Sequence, residues 1–318
     1  MPVLSIIIPT CHPVENLHSL LKALTIQENA DFLWEVVITD NHPSQANKSQ
    51  WLDMKEKYPF SIQYTAEERP GLHYARHGGA MYANGEFLAY IDDDEIPCST
   101  WVSTALRLID GQADAVGGKV LPLWESQPPA WIDIFWNTCP NGRFCAPLGL
   151  LELGEKVLHD IHPFLIFGGN FFITRKILIQ LKGFNPDGMP DYLLRFRGDG
   201  ENALMLKLLA GKFRNMYDPN ATAFHKVPEH RMTLTYFQRR HYIQGISDSF
   251  SDIRKAGQMT DNQPILRTNA KISDQLRPIW DDMADAYSKG WFFHRQEILN
   301  DPELLKFVLR AHFWDDLE

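Results

Sequence analysis

Residues 87–97 read FLAYIDDDEIP: a short apolar run followed at once by four acidic side chains, Asp92, Asp93, Asp94 and Glu95. Adjacent carboxylates repel one another, so something must offset the repulsion. Charge runs are mostly solvated turns. The other reading is a cation site, and two features favour it. The run follows an apolar β-like stretch directly, so its first members sit at a strand end. Asp92 and Asp94 also alternate, and in an extended segment residues two apart face the same way, so both carboxylates can converge on one point. Hard divalent cations such as Mg2+ and Mn2+ take oxygen ligands, commonly one or two protein carboxylates with substrate phosphates. An Asp-x-Asp at a strand end fits metal-assisted handling of a diphosphate.

The surrounding pattern supplies the elements that would position these groups. VLSIIIP, from Val3, is a continuous apolar run that reads as a strand buried on both faces. PVENLHSLLKALTIQ follows, with Leu17, Leu20, Leu21 and Leu24 on one helical face. WEVVITDN is a second buried strand, FSIQYT a third, GLHYARHGGAMYANG a helix stopped at Asn84-Gly85, and EFLAYI a fourth strand. This alternation predicts an α/β unit with a mainly parallel sheet. In such sheets ligands bind at the carboxyl ends of strands. Thr10, Asp40 and the acidic run close three of the four strands and would share one edge. Further on, ADAVGGKVLPLW and KFRNMYDPNATAFHKV each read as one strand, ENALMLKLLAGK as a helix, and residues beyond about 230 as mostly helical. Residues 124–165 are loop-like and rich in Pro and Trp, as a lid or substrate wall would be.

The chain has 318 residues, 44% of them hydrophobic and 22% charged, with net charge −9, which argues for a folded core and against a broadly basic nucleic-acid face. Cys11, Cys98, Cys139 and Cys145 form no CxxC pair, so a zinc finger is excluded and reduced thiols in the cytoplasm are expected. MPVLSIIIPT lacks the basic and long apolar regions of a signal peptide. No apolar run reaches the length of a membrane helix, although peripheral contact with the inner face of a membrane is open. No GxGxxG follows the first strand and GGKV is not a phosphate-binding loop, which argues against a dinucleotide oxidoreductase.

SIIIPT, VVITDN, GLHYARHGGAMYANGEFLAYIDDDE, FGGNFFITRKILIQLKGFNP, GDGENALMLKL and AFHKV occur in that order over roughly residues 3–226. Together they resemble a family 2 glycosyltransferase of the GT-A fold. The resemblance implies a GT-A domain over residues 1–228, carrying the 124–165 insertion, and a mainly helical region over 229–318. It implies transfer of a sugar, with inversion, from a nucleotide-diphospho-sugar (UDP-sugar favoured) to an acceptor hydroxyl on a saccharide, lipid-linked or protein acceptor. It also implies Mn2+ or Mg2+ at the diphosphate, and surface polysaccharide or glycoconjugate synthesis.

By the same resemblance, Pro9 and Thr10 line the base or ribose pocket, Asp40 bonds base or ribose, and Arg76 meets base or phosphate. Asp92 faces ribose or metal, Asp93 lies on the donor side, Asp94 ligates the metal, and His225 approaches metal or diphosphate. Gly168, Gly169 and Asn170 form a small-residue turn under the donor sugar; the plainer alternative is a tight strand turn. An acceptor hydroxyl needs a carboxylate to take its proton. Glu201 is the candidate base, with Asp199 the rival; either could instead cap the helix that follows. Two departures from the family pattern stand out: GDGEN in place of Gly-Glu-Asp, and Cys11-His12 after Pro-Thr. Arg239, Arg240 and His241 could contact phosphates or an anionic acceptor, or form a solvated helix face. A metal-dependent nucleotidyltransferase or phosphohydrolase is a second reading, weakened by the absence of a Gly- and basic-rich loop after the first strand. A non-catalytic sugar-nucleotide-binding relative is a third.

Overall fold

The computed structural model describes residues 1–12, 17–268 and 270–314. The first third follows the predicted alternation: β1 (Leu4–Thr10), α1 (His18–Leu24), β2 (Trp34–Asp40), α2 (Gln45–Lys55), β3 (Ser61–Ala66), α3 (Leu72–Tyr82) and β4 (Phe87–Ile91). β2 and β4 flank β1, and β3 flanks β2, all in parallel. Ile6, Ile7, Ile8, Val36, Val37 and Ile38 are wholly buried, as strands covered on both faces require. Leu17, Leu20, Leu21 and Leu24 face the core as their spacing predicts; the first residues of the predicted helix, 13–16, lie outside the described ones. α3 packs very close to the sheet because of Gly79, where a Cβ would stand 2.5 Å from Ile7 Cγ2. Gly85 does not end α3 by a left-handed turn. It lets the chain pass Ser5, whose backbone nitrogen would be 2.7 Å from an added Cβ.

The remaining elements are β5 (Glu95–Pro97), α4 (Leu106–Ile109), β6 (Ala115–Gly117), β7 (Val120–Trp124), β8 (Asn137–Cys139), β9 (Gly142–Cys145), β10 (Leu150–Glu152), β11 (Leu158–His159), β12 (Asn170–Thr174), α5 (Arg175–Gln180), α6 (Asn202–Ala210), β13 (Asn215–Tyr217), β14 (Ala223–Val227), α7 (Leu234–Ala256), α8 (Arg277–Asn300) and α9 (Pro302–Val308). Two sheets result, ordered β11-β13-β6-β12-β4-β1-β2-β3 and β5-β14-β7-β10-β9-β8. The larger sheet is mixed: β12 runs antiparallel to both its neighbours, and β11 antiparallel to β13.

Two single strands of the sequence reading each divide. ADAVGGKVLPLW becomes β6 and β7, and KFRNMYDPNATAFHKV becomes β13 and β14, with one half of each in either sheet. Both breaks fall at one place. Gly118 lies so close to Ala221 that a Cβ there would be 1.9 Å from its carbonyl oxygen, and only glycine permits that approach. Residues 124–165 are not simply loop. They contribute β8 to β11, strands of two to four residues too short to show an alternation.

α7 and α8 run in the same direction. Contacts Tyr242–Gly290, Ser249–His294 and Asp252–Arg295 advance together along both helices. An added Cβ would stand 2.0 Å from the Tyr287 oxygen at Gly245 and 1.8 Å from the Tyr242 oxygen at Gly290. The chain must therefore return over residues 257–276 before starting α8. The pair shares a core with the second sheet through Val120, Leu150, Phe237 and Met283.

Candidate active site

The acidic run turns as soon as β4 ends. The Asp92 N–H donates to the Gly169 carbonyl (3.1 Å) and the Glu95 N–H to the Asp92 carbonyl (3.1 Å). Residues 92–95 are thus not extended, and the expected convergence of Asp92 and Asp94 does not occur. Each carboxylate is directed to its own partner. Asp92 Oδ1 accepts from Arg76 Nη2 at 3.1 Å. Asp93 Oδ2 accepts from Thr10 Oγ1 at 2.5 Å and pairs with His12 Nδ1 at 2.8 Å. Asp94 Oδ2 pairs with Arg231 Nη2 at 2.8 Å and His225 Nε2 at 3.3 Å. Glu95 is buried, and its Oε2 has no partner.

These environments separate the four carboxyls electrostatically. Burial pushes Asp94 up, but the His225 contact and the Arg231 guanidinium outweigh it and hold the group well below its usual range. Burial raises Asp92 despite Arg76, with Asp94 and Asp93 adding to the rise. Burial and then Asp92 and Asp94 push Glu95 well above the ordinary value.

Arg76 projects from α3 with its side chain 3% exposed and bridges two carboxylates, Asp92 and Glu201, the latter at 3.7 Å. Glu201 begins α6. Burial raises its carboxyl; Arg76 opposes, and Asp187 adds to the rise. About a third of the Asp92 and Glu201 side chains still reaches solvent (34% and 33%), so both line an open cleft. Gly168 and Gly169 make this packing possible. A Cβ at Gly168 would lie 2.9 Å from Arg76 Nη1 and 3.0 Å from Glu201 Cδ; one at Gly169 would lie 2.7 Å from Asp92 Oδ2.

Several expected contacts lie elsewhere. Asn170 is wholly buried, accepts from Trp101 Nε1 (2.7 Å), and donates to the carbonyls of Lys119 (2.8 Å) and Ala221 (2.7 Å). Its amide ties the two sheets together and does not reach the cleft, which corrects its assignment to the donor. Asp40 is also wholly buried, accepting from the His42 N–H (2.9 Å) and Tyr64 Oη (3.0 Å); it terminates β2 and presents no open oxygen at the strand edge. Pro9 and Thr10 are buried too, and Thr10 meets the cleft only through Asp93. Asp199 accepts from Asn185 Nδ2 (2.7 Å) and Ser251 Oγ (2.8 Å) and is 8% exposed. It anchors the start of α6 to α7, and the open carboxylate there is Glu201. Arg239, Arg240 and His241 diverge. Arg239 pairs with Asp191, Arg240 Nε donates to the Pro147 carbonyl (3.2 Å), and His241 is buried against its own helix.

Three residues carry more of the site than the sequence suggested. Asp187, within NPDG, pairs with Arg197 and lies beside Gly200, whose φ of +55° places its backbone against the carboxylate. That tetrapeptide reads only as a turn. His12 joins the acidic run, and the hydrogen bond to Asp93 raises its pKa against the effect of burial. Arg231 reaches Asp94 from a 3-10 turn just after β14, and no local pattern marks it.

No group of three or more His, Cys, Asp or Glu is close enough to hold a metal ion among the described residues. Asp94 and His225 nonetheless make a suitable pair. His225 Nδ1 donates to the Leu148 carbonyl (2.8 Å), which leaves the Nε2 lone pair to accept from Arg231 Nη1 (2.7 Å), with Asp94 Oδ2 3.3 Å away. A backbone carbonyl that fixes the tautomer is the usual companion of a ligating imidazole. The Arg231 guanidinium occupies the cationic position between them, and one carboxylate plus one imidazole leaves room for substrate oxygens.

Residues 5–175, more than half of the chain, match Glycosyl transferase family 2, and the chain belongs to that family. Its fold is that of the GT-A glycosyltransferases. It resembles the mannosyltransferase PcManGT from Pyrobaculum calidifontis, solved with GDP-Man and Mn2+, with a TM-score of 0.53 at 16% identity over 99% of this chain and 88% of that one. Among curated proteins it is 28% identical to Glycosyltransferase AglE of Haloferax volcanii over 55% of this chain and 61% of that protein. It is 30% identical to the GalNAc(5)-diNAcBac-PP-undecaprenol beta-1,3-glucosyltransferase of Campylobacter jejuni over 59% and 56%. The matches therefore span about three fifths of these relatives. No helix among the described residues is long and apolar enough to cross a membrane.

Proposed function

We propose that this chain transfers a sugar from a nucleotide-diphospho-sugar, a UDP-sugar by preference, to the hydroxyl of a saccharide acceptor, with inversion. Glu201 is the general base. It takes the proton of the acceptor hydroxyl as that oxygen attacks the anomeric carbon and the nucleoside diphosphate leaves from the opposite side. The observation that carries this reading is the Glu201 carboxylate: open to the cleft, raised by burial, and set across Gly168 and Gly169 from Asp92. A carboxyl whose pKa is raised is a stronger base once ionised.

Asp94 and His225 would hold Mn2+ or Mg2+, which when bound neutralises charge on the leaving diphosphate. Arg76 orients Asp92 and Glu201, while Asp93 and His12 present polar groups toward the nucleoside. The lipid-linked glycan in the Campylobacter relative's name supports a lipid-linked acceptor and glycoconjugate or surface polysaccharide synthesis. The non-catalytic reading retains one supporting observation, namely that Arg231 fills the cationic position. Glu201→Gln separates the two. A transferase loses turnover and keeps nucleotide binding; a binding-only protein shows no turnover to lose.

A further inference from the structure

α7, α8, the second sheet and residues 262–268 line an open cavity of about 940 Å3. That is at the large end of small-molecule sites, about 300–1,000 Å3. We infer that it is a saccharide site, holding sugar rings of the acceptor glycan beyond the unit that receives the new sugar. The inference rests on the transferase reading for its acceptor, but the cavity's ligand class is argued from its own walls.

Phe, Tyr and Trp side chains line it at five positions: Phe135 and Phe144 from the second-sheet side, Trp280, Tyr287 and Trp291 from α8. Between them stand Asn137, Gln244, Asp248 and Asn262. A pyranose needs this combination: an apolar C–H face that lies on an aromatic ring, and a rim of hydroxyls that both donate and accept. Asp248 is already oriented, accepting from Gln244 Nε2 (2.7 Å) and Tyr287 Oη (2.9 Å). Trp291 is 5% exposed and its Nε1–H has no protein acceptor, an unusual debt for a buried donor.

The walls also exclude the alternatives. Arg240 and Arg267 stand with Asp248 and Asp252, the latter already paired with Arg295, so a nucleotide's phosphates entering here would have to approach two carboxylates. An isoprenoid chain would lie against the Asp248 carboxylate and strip its water at high cost.

The cavity shares two walls with the candidate active site. Arg240, Gln244 and Asp248 line it at four-residue spacing on α7. On the neighbouring stripe, Ser247 Oγ accepts from Arg197 Nε (3.2 Å) and Ser251 Oγ donates to Asp199 (2.8 Å). The Ala146–Leu148 turn forms the second wall: Pro147 faces the cavity, and the Leu148 carbonyl holds His225.

The test is a glycan microarray probed with the purified protein, beside calorimetric titration of UDP, GDP and dTDP with Mn2+ and of a short polyprenyl phosphate. Oligosaccharides should be retained by the native chain and weakened about tenfold or more by Trp280→Ala. Asp248→Asn, which preserves the side chain's shape, should weaken them too while melting like the native protein. Nucleotide binding should be unchanged in both variants. Retention unaffected by either variant, no retained glycan, or uptake of polyprenyl phosphate alone would overturn the assignment. Nucleotide binding without glycan retention removes the cavity proposal only; glycan retention without nucleotide binding removes the donor reading and leaves the cavity.

Discussion

The two sides of the cleft hold their carboxylates in opposite ways. On the acidic turn, Asp94 Oδ2 has the Arg231 guanidinium at 2.8 Å with His225 beside it, and the carboxyl is held well below its usual range. Across Gly168 and Gly169, Glu201 has one guanidinium at 3.7 Å and is raised by burial. The first arrangement suits a group that must always carry charge, as a cation ligand does. The second suits a group that must change protonation during turnover. Environments that push the pKa values of neighbouring acids apart also divide their roles.

The largest expected effect that tests this division is loss of the base. Glu201→Gln should lower turnover by about a hundred- to ten-thousand-fold, read by release of nucleoside diphosphate, with nucleotide affinity unchanged. Asp94→Asn should come next, costing about a hundred- to a thousand-fold in turnover and removing the metal dependence of nucleotide binding measured by calorimetry. Asn170→Ala should leave the cleft chemistry in place but leave Trp101 Nε1 and the buried Ala221 carbonyl unsatisfied, whereas the Lys119 carbonyl keeps the Ala223 N–H. Each such group costs about 1–3 kcal/mol, so thermal melting should show a clear loss of stability. In the pH–rate profile, kcat/KM should rise with pH through a value above the ordinary glutamate pKa of about 4.3, as Glu201 ionises. Asp94, already ionised at lower pH, should contribute no step in that window.

The smallest effect is on stability. Burial lowers His73 to about 4 and lowers His77 as well. Both stay neutral in the folded chain while the unfolded chain takes up protons below about 6.5. Their contribution is therefore complete above about pH 6.5 and is lost as pH falls toward 4. Melting followed from pH 7 to pH 4.5 should decline, and His73→Phe should flatten part of that decline.

Legibility in the sequence follows the range of the forces involved. β1, β2 and β4 were readable because a strand buried on both faces must be apolar throughout, and the acidic run was readable because it follows β4 directly. The turn within residues 92–95 was not readable, since it depends on the Gly169 carbonyl nearly eighty residues away. Asp187 and Arg231 were missed because their roles come from partners brought by the fold: Arg197 for one, Asp94 for the other. Asn170 was misassigned for the same reason; its three hydrogen bonds all go to distant segments. The burial of Asp199 was not readable either, since its partner Ser251 lies on a helix the family resemblance did not cover.

The most direct test of the division between Asp94 and Glu201 is calorimetric titration of UDP, GDP and dTDP, with and without Mn2+, on the native chain, Asp94→Ala and Glu201→Gln. At least one nucleotide should bind the native chain and Glu201→Gln with the same dependence on Mn2+, and lose that dependence in Asp94→Ala. Metal-dependent binding that survives in Asp94→Ala, or disappears in Glu201→Gln, would contradict the account.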